Sequence, residues 1–279
     1  MMNSQYSTST NVVRDENLLK RRIKYYIESG RGGRQSETAL IQALSQQAHL
    51  YVFGGLIRDI SLYTAHQFRS DIDLVFVGSK KQLEKALSEH RLQKISENKF
   101  GGFRVKDFTV DIDIWSLEDT WAFKQDVLPK RNVEVEDLLN TTLMTWDSVL
   151  YDIQNSRIIT TDSWLNDLHV GRLDLVLERT PDVNSALVRV LRTIYGKDVL
   201  MLGERLCKFL ATLLNKHSDQ VLMHNEFKRF RTNHITSKRL SRLRQDLERW
   251  SGRGDIQVNP HQWHEEQLEL EFVSPIEQK

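Results

Sequence analysis

The 279-residue sequence predicts an α+β chain in which a mixed β-sheet flanked by helices is followed by an all-helical domain. Three observations carry that prediction. Short apolar runs bounded by glycine or aspartate recur between residues 50 and 115, which is the signature of strands. Amphipathic helical stretches lie between and around them. From Pro181 onward the apolar residues keep helical spacing only. The expected organisation is a disordered N-terminus (1–13), a sheet-bearing domain (14–180), a helical domain (181–253) and a flexible, acidic, Pro-containing tail (254–279).

Residues 1–12 are rich in Ser, Thr and Asn and lack apolar periodicity. A helix is expected over about 14–28, with Leu18, Leu19, Ile23, Tyr26 and Ile27 on one face. The glycines of 30–35 break it, and Ser36 is expected to cap a second helix over about 37–47. Leu50, Tyr51, Val52 and Phe53 read as a buried strand ended by Gly54-Gly55, and a helix carrying Arg58 and Asp59 follows. A second strand starts at Asp71 and runs through Asp73 and Leu74 to Val77. Lys80–Arg91 reads as an amphipathic helix, and Phe100–Val105 as a strand hairpinned onto Phe108–Trp115, with Gly101-Gly102 as turn residues. Trp115 and Trp121 fit core packing.

The chemistry-bearing pattern is the Asp-x-Asp pair. Alternate residues of a strand share a face, so Asp71 and Asp73 point the same way, as do Asp111 and Asp113. Clustered carboxylates repel unless a cation intervenes, and Mg²⁺ accepts such oxygen ligands together with substrate phosphates. Gly54 and Gly55, lacking Cβ atoms, let a phosphate approach the backbone ahead of a helix N-terminus. This combination suggests nucleoside triphosphate chemistry. Two-metal transfer holds its ions about 3.5–4 Å apart and calls for a third carboxylate. Asp113 is favoured for it, with Asp111 in reserve.

These residues resemble a known family. FGGLIRD (residues 53–59) followed by SDIDLVF (residues 70–76) is similar to the head domain of the class II tRNA nucleotidyltransferases (CCA-adding enzymes) and bacterial poly(A) polymerases, within the DNA polymerase β superfamily. The similarity continues through Leu150–Val176 and into Leu187–Tyr195, where the family's helical neck begins, and covers roughly residues 35–215. It implies a nucleotidyltransferase head over 14–180 and a neck over 181–253. It also implies that Asp71, Asp73 and Asp113 are catalytic and bind two Mg²⁺ ions, and that Gly54, Gly55, Arg58, Asp59, Arg189 and Arg192 contact an incoming NTP. The reaction implied is attack of a hydroxyl on the α-phosphorus with release of pyrophosphate. Two departures stand out. Glu136-Asp137-Leu138-Leu139-Asn140 stands where the family has Arg-Arg-Asp-Phe-Thr, and Ser185-Ala186-Leu187-Val188-Arg189 keeps only the arginine of the base-selecting Glu-Asp-x-x-Arg. The resemblance therefore implies transfer chemistry without full CCA synthesis. Lys130 and Arg131 are candidates to approach a triphosphate in place of the missing arginines.

The last expected helix lies between Phe227 and Arg253, where nine Lys or Arg residues stand against two acidic ones and are interleaved with Phe227, Phe230 and Trp250. Lys228, Arg229, Arg231, Lys238, Arg239, Arg242 and Arg244 are the candidate RNA-binding residues, which makes an RNA 3′ end, tRNA or tRNA-like, the expected acceptor. About 65 residues remain beyond the resemblance, so a full tRNA grip is not expected. No apolar run of transmembrane length or secretory leader is read. The single cysteine, Cys207, excludes a disulfide framework and fits a cytoplasmic setting. The rival readings are NMP transfer to a protein or small-molecule hydroxyl, as in toxin or defence enzymes, a non-catalytic RNA-binding module, and a metal-dependent phosphohydrolase.

Overall fold

The computed structural model describes residues 12–63, 68, 70–128, 133–197 and 199–258. The expected disordered N-terminus up to residue 11, the tail from 259, and Lys130 and Arg131 lie outside the described residues. Contacts divide the chain into two compact units, residues 1–169 and 170–279.

The first unit contains α1 (Glu16–Glu28), α2 (Gln35–Gln47), β1 (His49–Phe53), α3 (Gly55–Leu62), β2 (Ile72–Val77), α4 (Lys80–Ser88), β3 (Ile95–Glu97), β4 (Phe103–Val105), β5 (Ile112–Ser116), α5 (Trp121–Lys124), β6 (Val149–Asp152), β7 (Arg157–Thr160) and α6 (Trp164–His169). The seven strands form one sheet in the order β3-β4-β5-β2-β1-β6-β7. Only β2 and β5 are parallel neighbours, so the sheet is mixed.

Local chemistry explains the helix ends. Asp15 accepts from the Leu18 amide at 2.8 Å and starts α1, and Ser79 with Gln82 forms a reciprocal capping box on α4. Helix α2 differs from expectation. It starts at Gln35 behind Arg34, which makes no side-chain cap, and Ser36 sits inside the first turn. Gly30, Gly32 and Gly33 all take positive φ, which lets the chain enter the helix two residues earlier.

One sheet face carries Leu50, Val52, Ile72, Leu74, Phe76, Ile112 and Ile114, all buried, which leaves no polar side chain among these residues to solvate. The opposite face is layered. Register places Tyr51 beside Val75 and Val75 beside Trp115, and these pack with Leu117, Phe123, Leu138, Leu150 and Ile159 in an apolar cluster. One step along the strands, the same face turns acidic.

The second unit contains β8 (Arg172–Leu173), α7 (Val183–Gly196), β9 (Met201–Leu202), α8 (Glu204–Leu213), α9 (Asp219–Phe230), α10 (Ser237–Arg249) and β10 (Ile256–Gln257). Helices carry this unit, with one addition to the expectation: three two-residue strands pair in the order β10-β9-β8. Strand β8 ties residues 172–173 to this unit, so the contact boundary falls at 169/170, ahead of residue 180. Strand β10 orders the first residues of the expected tail. The basic stretch 227–253 is two helices and not one. Arg231 takes a left-handed φ of 56° at the end of α9, and Thr236 caps α10 through the Arg239 amide. Buried Glu226 fastens the turn by accepting from Thr232 Oγ1 and the His234 and Ile235 amides at 2.8–2.9 Å.

Candidate active site

The acidic row is built by strand register. Phe53 on β1 lies opposite Asp73 on β2, Asp73 lies beside Asp113 on β5, and Asp113 lies opposite Arg104 on β4. Partners in register share a sheet face, so four strands contribute one residue each to a single row. Asp71, two residues before Asp73, continues the face beyond the strand end. Because β1 runs antiparallel to β2, its C-terminal end, and with it the Gly54-Gly55 turn, comes to the edge where Asp71 and Asp73 lie. The Ile72 amide donates to the Asp111 carbonyl at 2.9 Å and fixes the start of β2 against the approach to β5. Further along that approach, buried Glu37 of α2 accepts from the Thr109 amide at 2.9 Å and anchors the loop that delivers Asp111 and Asp113.

Arg104 was not among the residues singled out from the sequence, and it joins the carboxylates. Its Nε donates to Asp113 Oδ1 at 2.7 Å and its Nη2 to Asp71 Oδ2 at 2.9 Å, with a second, shorter contact to Asp113 Oδ2. The Asp113 hydrogen bond is the main cause holding the guanidinium above its usual range, against burial and with help from the charges of Asp113, Asp71 and Asp111. Burial pushes the Asp71 carboxyl up, Arg104 pulls it down, and the charges of Asp113 and Asp111 push it up again. Asp111 acts on Asp71 through its charge, and Asp113 shares a guanidinium with it.

The glycine turn is a second assembly. Gly54 has φ 65° and ψ −108°, conformational space that a side chain strains to enter. A Cβ there would stand 3.4 Å from the Asp147 carbonyl. One turn into α3, Arg58 donates from Nε to Asp59 at 2.7 Å and from Nη1 to Asp147. Burial opposes its charge, but Asp147 and then Asp59 overcome that and hold the guanidinium firmly protonated. Arg58 and Asp59, predicted to contact a nucleotide, thus have an internal task beneath the turn. Asp147, in a short 3-10 turn before β6, is the partner that sequence reading missed.

The remaining predicted site residues lie in the second unit. Arg189 is exposed on α7. Arg192, on the same helix, stacks its guanidinium 3.9 Å from the centre of the Phe230 ring and donates to Thr232 Oγ1 at 3.1 Å, a packing arrangement within that unit. Of the basic residues, Lys228, Arg229, Arg231, Lys238 and Arg242 are exposed. Arg239 instead donates to the His234 carbonyl at 2.6 Å, and Arg244 pairs with Asp219 at 2.7 Å. The basic surface is therefore narrower than the sequence count.

Among the described residues, no three or more His, Cys, Asp and Glu side chains form a group that could hold a metal ion as they stand. The donor chemistry nevertheless fits a hard divalent cation. Asp71, Asp73 and Asp113 supply oxygens on one face, and a guanidinium is seated between two of them as a stand-in cation. No helix among the described residues is long and apolar enough to cross a membrane.

No family model matches the sequence, and no curated protein matches it. Solved structures do. A tRNA-processing enzyme with CTP superposes with a TM-score of 0.53 at 16% identity, covering 75% of this chain and 56% of that one. A tRNA nucleotidyltransferase complexed with a primer tRNA and an incoming ATP analog gives 0.52 at 17% identity, covering 75% and 60%. A CCA-adding enzyme with ATP gives 0.52 at 18% identity, covering 82% and 53%. The chain thus spans little more than half the length of these proteins. What the likeness establishes is architecture: this chain carries the head-domain fold of the tRNA nucleotidyltransferases and CCA-adding enzymes.

Proposed function

We propose that the chain is a Mg²⁺-dependent nucleotidyltransferase that moves NMP from an NTP to an RNA 3′ end, tRNA or tRNA-like, and releases pyrophosphate, without completing CCA synthesis. The observation that carries this reading is the single row in which Asp73 and Asp113 stand side by side, with Asp71 bound to the same guanidinium and the Gly54-Gly55 turn at the same sheet edge. Asp71, Asp73 and Asp113 would hold the metal. A bound divalent ion would neutralise triphosphate charge and lower the pKa of the attacking hydroxyl.

The chain's own residues do the positioning. Gly54 and Gly55 leave backbone room for the β- and γ-phosphates, and the Arg58–Asp147 pair holds that positive-φ turn against the segment before β6. The apolar cluster around Tyr51, Val75 and Trp115 backs the acidic row and keeps the strands in register. The exposed cations Lys228, Arg229, Arg231, Lys238 and Arg242 are suited to RNA phosphates, and half-exposed Phe227 to an unpaired base. The similar enzymes with CTP, and with a primer tRNA and an incoming ATP analog, support the choice of substrates. Buried Cys207, its thiol pushed up to about 12 first by burial, fits a cytoplasmic setting.

The test is incubation with Mg²⁺, each α-labelled NTP in turn and cellular RNA, beside an Asp71→Ala/Asp73→Ala double variant. Label on RNA that disappears in the variant is the expected result. Label on protein would replace the RNA acceptor with a protein hydroxyl, and no label in any reaction would overturn transferase activity.

A further inference from the structure

The carboxylates read as metal ligands already have a cation, and it is built into the chain. Arg104 reaches them from the neighbouring strand with three hydrogen bonds, two to Asp113 and one to Asp71. A guanidinium matches a carboxylate in geometry as well as charge, so this is a stronger counter-ion than a solvated lysine would be. We propose that Arg104 is a resident, exchangeable counter-ion that competes with divalent cation for Asp71 and Asp113, so that metal enters only as Arg104 is displaced. The inference rests on the metal-binding role given above to these aspartates.

Three features make exchange the sensible reading. The Arg104 side chain is 37% exposed and Asp71 43%, so the guanidinium has water to move into. Asp113, at 16%, stays anchored by its strand while its partner changes. The position is also specified by register: Arg104 lies directly opposite Asp113 in an antiparallel pair, so the contact does not depend on a chance rotamer of a distant residue. The displaced guanidinium has a destination in the incoming substrate, because a triphosphate, like a carboxylate, offers paired anionic oxygens that accept two guanidinium hydrogen bonds. Metal bound to triphosphate would therefore load more readily than free metal, since it brings the group that accepts Arg104.

Mn²⁺ titration followed by electron paramagnetic resonance tests this without turnover. Wild type, Arg104→Gln and Arg104→Lys are compared, with Asp71→Asn/Asp73→Asn as the control and thermal melts to confirm folding. Arg104→Gln is expected to bind free Mn²⁺ about tenfold or more tightly than wild type, with Arg104→Lys between them, and to lose most of the gain wild type shows when a non-hydrolysable NTP analogue is added. Equal or weaker Mn²⁺ binding by folded Arg104→Gln would overturn the counter-ion role while leaving the metal site intact. If Arg104→Gln does not fold, the comparison rests on Arg104→Lys, which must bind more tightly than wild type for the inference to stand. Binding that survives in the double aspartate variant would overturn the metal reading itself, and so would its absence from all proteins.

Discussion

Arg58 and Arg104 are each held by two aspartates within the same unit, yet the two clusters differ in their access to water. Around Arg58 the side chains are 12% (Arg58 and Asp59) and 17% (Asp147) exposed, and around Arg104 they are 37%, 43% (Asp71) and 16% (Asp113). The same ion chemistry therefore does two jobs. In the dry cluster no water can replace a lost partner, so the three groups lock the glycine turn to the segment before β6. In the wet cluster solvent or another cation can take either side's place, which is what a loading site for substrate and metal requires.

The largest effect that tests this contrast is Arg58→Ala. Removing the cation leaves Asp59 and Asp147 as uncompensated, mostly buried charges, and the expected loss is about 3–5 kcal/mol in urea unfolding. A loss under about 1 kcal/mol would show that water reaches this cluster after all. Next comes Gly54→Ala, which keeps all three charged groups but forces a side chain into φ 65° against the Asp147 carbonyl. It is expected to cost about 1–3 kcal/mol. Combined with Asp147→Asn, which weakens the Arg58 pair holding that segment in place, it should cost less than the sum of the two, because the residues are in contact and a loosened Asp147 yields more easily to the new side chain. Third is Arg104→Gln, for which the same unfolding measurement should give a smaller loss of about 1–2 kcal/mol, since solvent screens Asp71 and only Asp113 is left as a mostly buried charge. A loss as large as that of Arg58→Ala would erase the distinction.

How much of this was legible in the sequence follows from the range of each interaction. Two-residue alternation is local, so Asp71 with Asp73 and Asp111 with Asp113 were readable as same-face pairs, and Gly54-Gly55 as a turn. The hairpin of β4 onto β5 was readable too, but its register was not. Whether Arg104 faces Asp113 or the other side of the sheet depends on how residues 106–111 close the connection, and Asp107 fixes part of that by accepting from the Gln93 and Lys94 amides. Asp147 had no local signal at all. It lies 89 residues from Arg58, in a 3-10 turn without periodicity, and only the β1–β6 pairing brings them together. The basic stretch misled for a different reason: its charge pattern is continuous, whereas the helix break is made by Arg231 in the left-handed region and by buried Glu226, a tertiary contact.

The smallest effect separates the electrostatics of the wet cluster from its packing. Burial, the largest cause, and the charges of Asp113 and Asp111 raise the Asp71 carboxyl above its ordinary value of 3.8, and Arg104 is the opposing attraction among its main causes. A raised folded pKa means the native state holds this proton more tightly than the unfolded chain does. The charged carboxylate thus weakens the fold above the raised pKa, and that penalty fades as pH falls through it. Removing Arg104 removes the one charge that favours ionisation, so in metal-free Arg104→Gln the Asp71 carboxyl should titrate at still higher pH, and the relief on acidification should begin earlier. Carboxyl ¹³C NMR titration of both proteins in EDTA reads the shift directly. An unchanged or lower Asp71 pKa in the variant would mean that burial and Asp113 alone set its charge, and that Arg104 contributes orientation to the row and little electrostatics.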